Sequence, residues 1–197
     1  MRYAILSTVS SDRMNYQLAA DSAGQPRLAQ MAVIFVADDG TPASPVTYTV
    51  KPDGWCMTNE ATIASGVTDA MLEDGIPVAG VCGAYVSMLN NGYVVVAYGS
   101  PHHLKLMRGE CRRLGIADHY ATTQSIDVCR ALLDVCRIPN VGRKGFKLPK
   151  FEEACAHFKV ECPPVRDAAT NARLTLGLFR ALVDLGRLPA PSLPSGD

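Results

Sequence analysis

The sequence predicts an α/β fold in which a mixed sheet is flanked by helices on both faces. Two observations carry this. Three strand-like segments rich in β-branched and aromatic residues come first, at residues 3–9, 28–37 and 45–51, joined by polar or turn-forming residues. A helical segment at 77–90 then leads into the continuous apolar run 93–98 (YVVVAY), typical of a strand covered on both faces. The order is β-β-β-α-β followed by four helices, which suits a mixed sheet with helices on both sides. Pattern alone leaves several α/β folds open.

Each element has its own signal. Residues 3–9 (YAILSTV) form a short apolar run, consistent with a buried strand, and 12–26 are polar and loop-like. Residues 28–37 (LAQMAVIFVA) make a longer strand. Asp38-Asp39-Gly40 supplies a turn, and Val46, Tyr48 and Val50 alternate along the third strand, giving an antiparallel meander. Residues 52–68 are expected as a loop with one helical turn. Val78, Val81, Cys82, Tyr85 and Leu89 recur at helical spacing. Pro77 suits that helix's first turn, and Asn91-Gly92 its end. Further helices are expected at 102–114, 126–136, 148–158 and 167–188.

Composition narrows the class. The 197 residues fit one domain, expected over 1–188, with a flexible C-terminal tail at 189–197 (PAPSLPSGD). Formal net charge is zero, so no global field draws the chain to nucleic acid and any such contact needs a local patch. No stretch approaches the roughly 20 apolar residues of a membrane span, and the N-terminal apolar run is too short for a signal peptide. Seven widely spaced cysteines without a C-x-x-C pair read as reduced thiols, implying a cytoplasmic protein.

Motifs along nearly the whole chain resemble the DnaQ-like (DEDDh) 3'-5' exonucleases, which have an RNase H-like fold. The strand and its exit, Y-A-I-L-S-T-V-S-S-D from Tyr3, stand where that family has a strand ending in D-T-E-T-T. I-A-S-G-V-T from Ile63, followed by Met71-Leu72, is similar to its I-H-G-I-T-x-x-M-L turn. V-V-A-Y-G-S-P-H-H-L-K-L from Val95 is similar to V-V-A-H-N-A-x-F-D-x-x-L. S-I-D-V from Ser125 resembles W-x-D-T, and Lys147-Leu148 with Phe151 resembles K-L-x-x-L. C-P-P-V-R-D-A-A-T-N-A-R-L from Cys162 resembles the closing H-x-A-L-x-D-A.

The resemblance implies two-metal hydrolysis, with four carboxylates holding two Mg²⁺ and a His as general base. In this chain Ser7 and Val9 stand at the first Asp and the Glu, His103 at the second Asp, Cys162 at the base, and Asp167 at the last Asp. One carboxylate cannot offset the roughly four positive charges of two divalent ions. A second register places Arg166 at the base and Asn171 at the last acid; it fits the flanking A-x-A-T-x-A-x-L pattern less well. Acids restored at positions 7, 9 and 103 are expected to face a polar cleft. Asp12 and Asp53 read as solvated loop acids. His103, Cys162 and Asp167 form a set softer than Mg²⁺ prefers and nearer to Zn²⁺ chemistry, but drifted residues in an inactive site are the simpler reading.

Two basic clusters are candidates for nucleic acid. Lys105, Arg108 and Arg112 share one helix face. Arg143, Lys144 and Lys147 cluster around Phe146 in R-K-G-F-K, where phosphate pairing and base stacking can combine. Trp55, the single tryptophan, is expected on the core rim. The resulting expectation is a degenerate exonuclease-like protein without an intact catalytic or metal set. It would bind single-stranded nucleic acid or a protein partner such as a replication or host component. The alternatives are an active Mg²⁺- or Mn²⁺-dependent 3'-5' exonuclease with a displaced metal site, and a phage or mobile-element interaction factor.

Overall fold

The computed structural model describes residues 1–194. Its sheet has five strands in the order β3-β2-β1-β4-β5. β1 (Tyr3–Ser10), β2 (Leu28–Val36) and β3 (Val46–Thr49) form the antiparallel meander. β4 (Val94–Ala97) lies parallel to β1, and β5 (Ser125–Asp127) parallel to β4. The sheet is therefore mixed, as the sequence implies.

Two apolar layers hold it. Ile5, Val9, Ile34 and Val96 face α8 (Ala168–Asp184), where Ala168 and Ala172 are fully buried. Ala4, Leu6, Val33 and Val95 face α3 (Val78–Asn90) and α4 (Ser100–Arg113). Alternate residues of β1 thus feed opposite layers, the period-two rule of a strand covered on both sides. Trp55 is half-buried at the margin of both layers.

Three segments differ from expectation. Residues 52–68 hold more than one turn: Thr58 caps α1 (Asn59–Ser65), accepting the Ala61 N–H at 3.3 Å. Thr68 caps a second short helix, α2 (Asp69–Leu72). The expected helix at 126–136 begins as β5 and continues as α5 (Val128–Ala131) and α6 (Leu133–Cys136). Asp127 explains the break, since its carboxylate caps α5 while accepting the Gly99 N–H at 3.0 Å. α7 (Phe151–His157) starts three residues later than expected, because Leu148-Pro149-Lys150 stay extended before the helix. Of the expected tail, Ser192 exchanges two backbone hydrogen bonds of 2.9 Å with Ser125 of the β5 edge. Residues 195–197 lie outside the described residues.

Among the described residues no helix is long and apolar enough to cross a membrane.

Candidate functional site

A cleft of about 510 Å³ opens where β1 ends. Thr8, Val9 and Ser10 form its floor. Glu60, Ala61, Ala64 and Ser65 of α1 make one wall, and Arg166 with Asn171, at the start of α8, makes another. His102, from the first turn of α4, and the strip Asp12, Arg13, Met14 and Tyr16 complete it.

Local structure fixes these walls. Gly66 ends α1 with φ 73°, and a Cβ there would come within 2.9 Å of Val165 Cγ1. Only glycine takes that turn and lets residue 165 pass so near. The Arg166 N–H then donates to the Ala64 carbonyl at 3.2 Å, joining the two walls. On the other side, the loop after β1 is pinned to α4. Lys105 Nζ donates to the Leu18 carbonyl at 2.7 Å, and the Tyr16 hydroxyl lies 3.3 Å from His102 Nδ1.

The three positions at the ends of β1 and the start of α4 are more buried than the sequence suggests. Ser7 lies below the floor, and Val9 packs into the α8-side core with only its edge at the cleft. His103 is turned inward. Its Nδ1 accepts the Thr8 N–H at 3.1 Å and lies 2.7 Å from Thr8 Oγ1, so the ring proton sits on Nε2. Burial drives the His103 pKa down to about 3; neighbouring His102 pushes the same way, and a hydrogen bond to the Tyr98 backbone opposes them. The imidazole is neutral, and its acceptor nitrogen is committed to β1. The expectation of a polar cleft around all three positions is thus not met: Ser7, Val9 and His103 are buried, and β1 reaches the cleft only through Thr8, the edge of Val9 and Ser10.

At the start of α8 the residues of the two registers lie in different surroundings. Asp167 is the N-cap, its carboxylate accepting the Thr170 N–H at 2.8 Å, which turns it away from the cleft. Cys162 is half-buried against the α8-side core and does not line the cleft. The second register supplies the wall instead: Arg166 Nε donates to Asn171 Oδ1 at 3.1 Å. Arg166 also reaches Glu152 Oε1 at 2.6 Å and the Pro163 carbonyl at 2.8 Å, and stacks 5.3 Å from the Phe151 ring centre.

The lining therefore balances two guanidinium groups, Arg13 and Arg166, against two carboxylates, Asp12 and Glu60. These residues do not fit a pair of Mg²⁺ ions. Val9 offers no ligand atom, the His103 nitrogen is spent, and Arg166 already brings positive charge to the wall. His103, Cys162 and Asp167 do not converge as a zinc set either, and among the described residues no cluster of three or more metal-ligating side chains exists. Asp12, read as a solvated loop acid, is a cleft residue; no spacing in the sequence marks it.

The basic loop is a small hairpin. Pro139 pairs with Phe146, and the Asn140 N–H donates to the Gly145 carbonyl at 3.1 Å. Arg143 and Lys144 are exposed at its tip. Phe146 is 43% exposed, with the Arg137 guanidinium 6.0 Å from its ring centre. Lys147 differs: its Nζ holds Glu153 at 2.6 and 2.8 Å. The basic face of α4 is absorbed by the fold, since Arg108 and Arg112 pair with Asp118 and Lys105 holds the loop after β1. A larger cavity, about 620 Å³, lies at the β5 edge between α5 and the C-terminal segment; the Ser125-Ile126-Asp127 motif lines it, but none of Ser7, Val9, His103, Cys162 and Asp167 does.

No protein-family model matches this sequence, and no curated protein matches it detectably. Solved structures do. A 3'-exonuclease crystallised in specific recognition of the histone mRNA stem-loop superposes with a TM-score of 0.76 at 8% identity, over 99% of this chain and 91% of that one. The nuclease domain of 3'hExo, a DEDDh family member bound to rAMP, gives 0.75 at 9% identity, over 98% and 97%. The fold is that of the DnaQ-like exonucleases. Exonuclease I of E. coli in complex with a dT13 oligonucleotide gives 0.71 at 14% identity. The chain covers 92% of itself in that match but only 40% of exonuclease I, about two fifths of the larger enzyme. At these identities the DnaQ-like likeness establishes architecture, and the residues of the cleft must speak for its chemistry.

Proposed function

We propose that this chain is an exonuclease-fold protein that has given up hydrolysis and uses its cleft and basic hairpin to hold single-stranded nucleic acid. One observation carries the loss of hydrolysis: Arg166 stands in the cleft wall beside Asn171, where a two-metal site needs anionic ligands. The neutral, inward-turned His103 supports it. Similar folds have been solved with a dT13 oligonucleotide, a histone mRNA stem-loop and rAMP, which makes nucleic acid the first ligand class to test. The exposed Arg143, Lys144 and Phe146 supply charge and a stacking face beyond the cleft. Lys147 contributes less, being paired with Glu153. The free thiols suit a reducing compartment such as the cytoplasm.

Asp12 and Glu60 favour one second reading, an active enzyme with a displaced metal set, because both carboxylates line the same cleft. Labelled single-stranded DNA and RNA, incubated with the protein in Mg²⁺, Mn²⁺ or Zn²⁺, separate the two. Full-length oligonucleotide is expected throughout. A ladder that vanishes in the Asp12→Ala, Glu60→Ala variant would establish the second reading. Fluorescence anisotropy of the same strands should show weak, sequence-tolerant, steeply salt-dependent binding. Replacing Phe146 by Ala should cost roughly 1–3 kcal/mol per stacked base. No binding at about 50 mM salt would turn the assignment towards a protein partner.

A further inference from the structure

Four of the seven thiols fall between the start of α5 and the start of α8, and two of them, Cys155 and Cys162, share one packed layer where the chain doubles back. α7 ends in a tight reversal, with Lys159 in the left-handed region at φ 57°. The Val160 N–H donates to the Cys155 carbonyl at 2.8 Å and the Lys159 N–H to the Ala156 carbonyl at 3.1 Å, a paired closure that folds the chain back across the helix end. That return brings Cys162 back alongside the end of α7, packed on the layer in which Cys155 is buried. Cys155 is fully buried, and burial pushes its thiol up to about 12. Cys162 is half-buried, and an Arg166 N–H donates to its sulfur at 3.6 Å. Its sulfur is thus reachable, with a guanidinium beside the atom that attacks as a thiolate.

We propose that Cys155 and Cys162 are a reversible dithiol–disulfide pair, oxidised by small-molecule disulfides, at the segment that positions Arg166 in the cleft. Cys162 attacks one sulfur of glutathione disulfide, giving a mixed disulfide and releasing one glutathione thiol. Cys155 then loses its proton and attacks the Cys162 sulfur, releasing the second. The two protein thiols give up two electrons and two protons; glutathione disulfide takes them up as two thiols. Closure takes the Cys162 sulfur from the Arg166 guanidinium, leaving it Glu152, Asn171 and the Pro163 carbonyl.

Two other features of the chain serve as internal controls. Cys82 and Cys111 also share one packed layer, on α3 and α4, but both are fully buried. Cys56 is exposed and reports reagent access. The full chain is incubated in glutathione buffers of rising disulfide fraction, then quenched with an alkylating agent, cut with trypsin and mapped by mass spectrometry. The expected product joins peptide 151–159 to peptide 160–166, forms before any Cys82–Cys111 link, and is reversed by reduced glutathione. Cys155→Ser should stop the reaction at a glutathione adduct on Cys162, and Cys162→Ser should leave Cys155 reduced. The pair is refuted if wild-type Cys162 remains a glutathione adduct, if it joins another cysteine, or if neither thiol reacts once Cys56 is fully modified. None of these readouts depends on whether the cleft binds nucleic acid.

Discussion

Two arginine–carboxylate knots in this protein sit in opposite environments: one joins distant segments, the other neighbouring ones. In the interior, Glu110 of α4 accepts from Arg27 Nε at 2.9 Å and Nη2 at 3.1 Å, and from the Leu28 N–H at 2.9 Å; Arg113 Nη1 lies 3.1 Å away. At the cleft, Arg166 gathers Glu152, Asn171 and the Pro163 carbonyl. The Glu110 side chain is 0% exposed, the Glu152 side chain 55%. The first knot fastens the start of β2 to α4. The second forms part of the cleft wall. The contrast separates a carboxylate that is wholly enclosed from one that solvent reaches.

The largest expected effect breaks the interior knot. Glu110→Ala leaves two guanidinium groups and the Leu28 N–H without their shared acceptor inside the fold. Losing one partner of a buried ion pair costs roughly 3–5 kcal/mol. Urea unfolding should show a loss of that order with an unchanged m-value. A change below about 1 kcal/mol would mean that water or a repositioned group satisfies the arginines.

The next effect is pH-dependent and belongs to His103. Its folded pKa, about 3, lies below the roughly 6.5 of an unfolded histidine. The unfolded chain therefore binds the extra proton first. This contribution is fully present above about pH 6.5 and declines as pH falls towards 3, by roughly 1.4 kcal/mol per pH unit. The difference in unfolding free energy between wild type and His103→Asn, measured from pH 7.5 to 4.5, should shrink with that slope. Parallel pH profiles would show that His103 charges without leaving Thr8.

The framework was legible in the sequence because its signals are physical and redundant. β-branched runs buried on both faces read as strands, and apolar residues at helical spacing read as helices. Shorter elements were not, since β5 is three residues long and Asp127 serves both the strand end and the α5 cap. The caps Thr58 and Thr68 were available as signals for α1 and α2. The cleft was only half legible. Ser7, Val9 and His103 were located, but their burial depends on tertiary packing that no local spacing records. Asp167 caps α8, a role that the sequence alone does not separate from that of a ligand. Arg166 and Asn171 were visible as a second register, and the direction in which α8 turns its first residues places these two at the cleft.

A smaller effect tests the floor of the cleft. Val9→Glu would place a carboxylate in the layer that contains Ala168 and Ala172. A polar group buried there without a partner costs about 1–3 kcal/mol. The loss should be greater at pH 8 than at pH 5, because the neutral carboxyl is the cheaper form to bury. Mg²⁺ should leave the melting temperature of this variant unchanged, since Arg166 still faces the site. Stabilisation that rises with Mg²⁺ by mass action would show that the guanidinium can step aside.

The smallest effect concerns the exposed knot and completes the contrast with Glu110. Glu152→Ala removes a charged partner at 2.6 Å, yet that partner is more than half in water. Such pairs contribute little, about 0–1 kcal/mol, because solvent screens both charges and compensates whichever is left. Arg166 also retains Asn171, the Pro163 carbonyl and the Phe151 ring. Expected stability is therefore within about 1 kcal/mol of wild type. The coupling between Glu152→Ala and Arg166→Ala in a double-mutant cycle should fall in the same range. A coupling of several kcal/mol would mean that the cleft wall is held as firmly as the interior, and that Arg166 is a strut of the fold before it is a feature of the site.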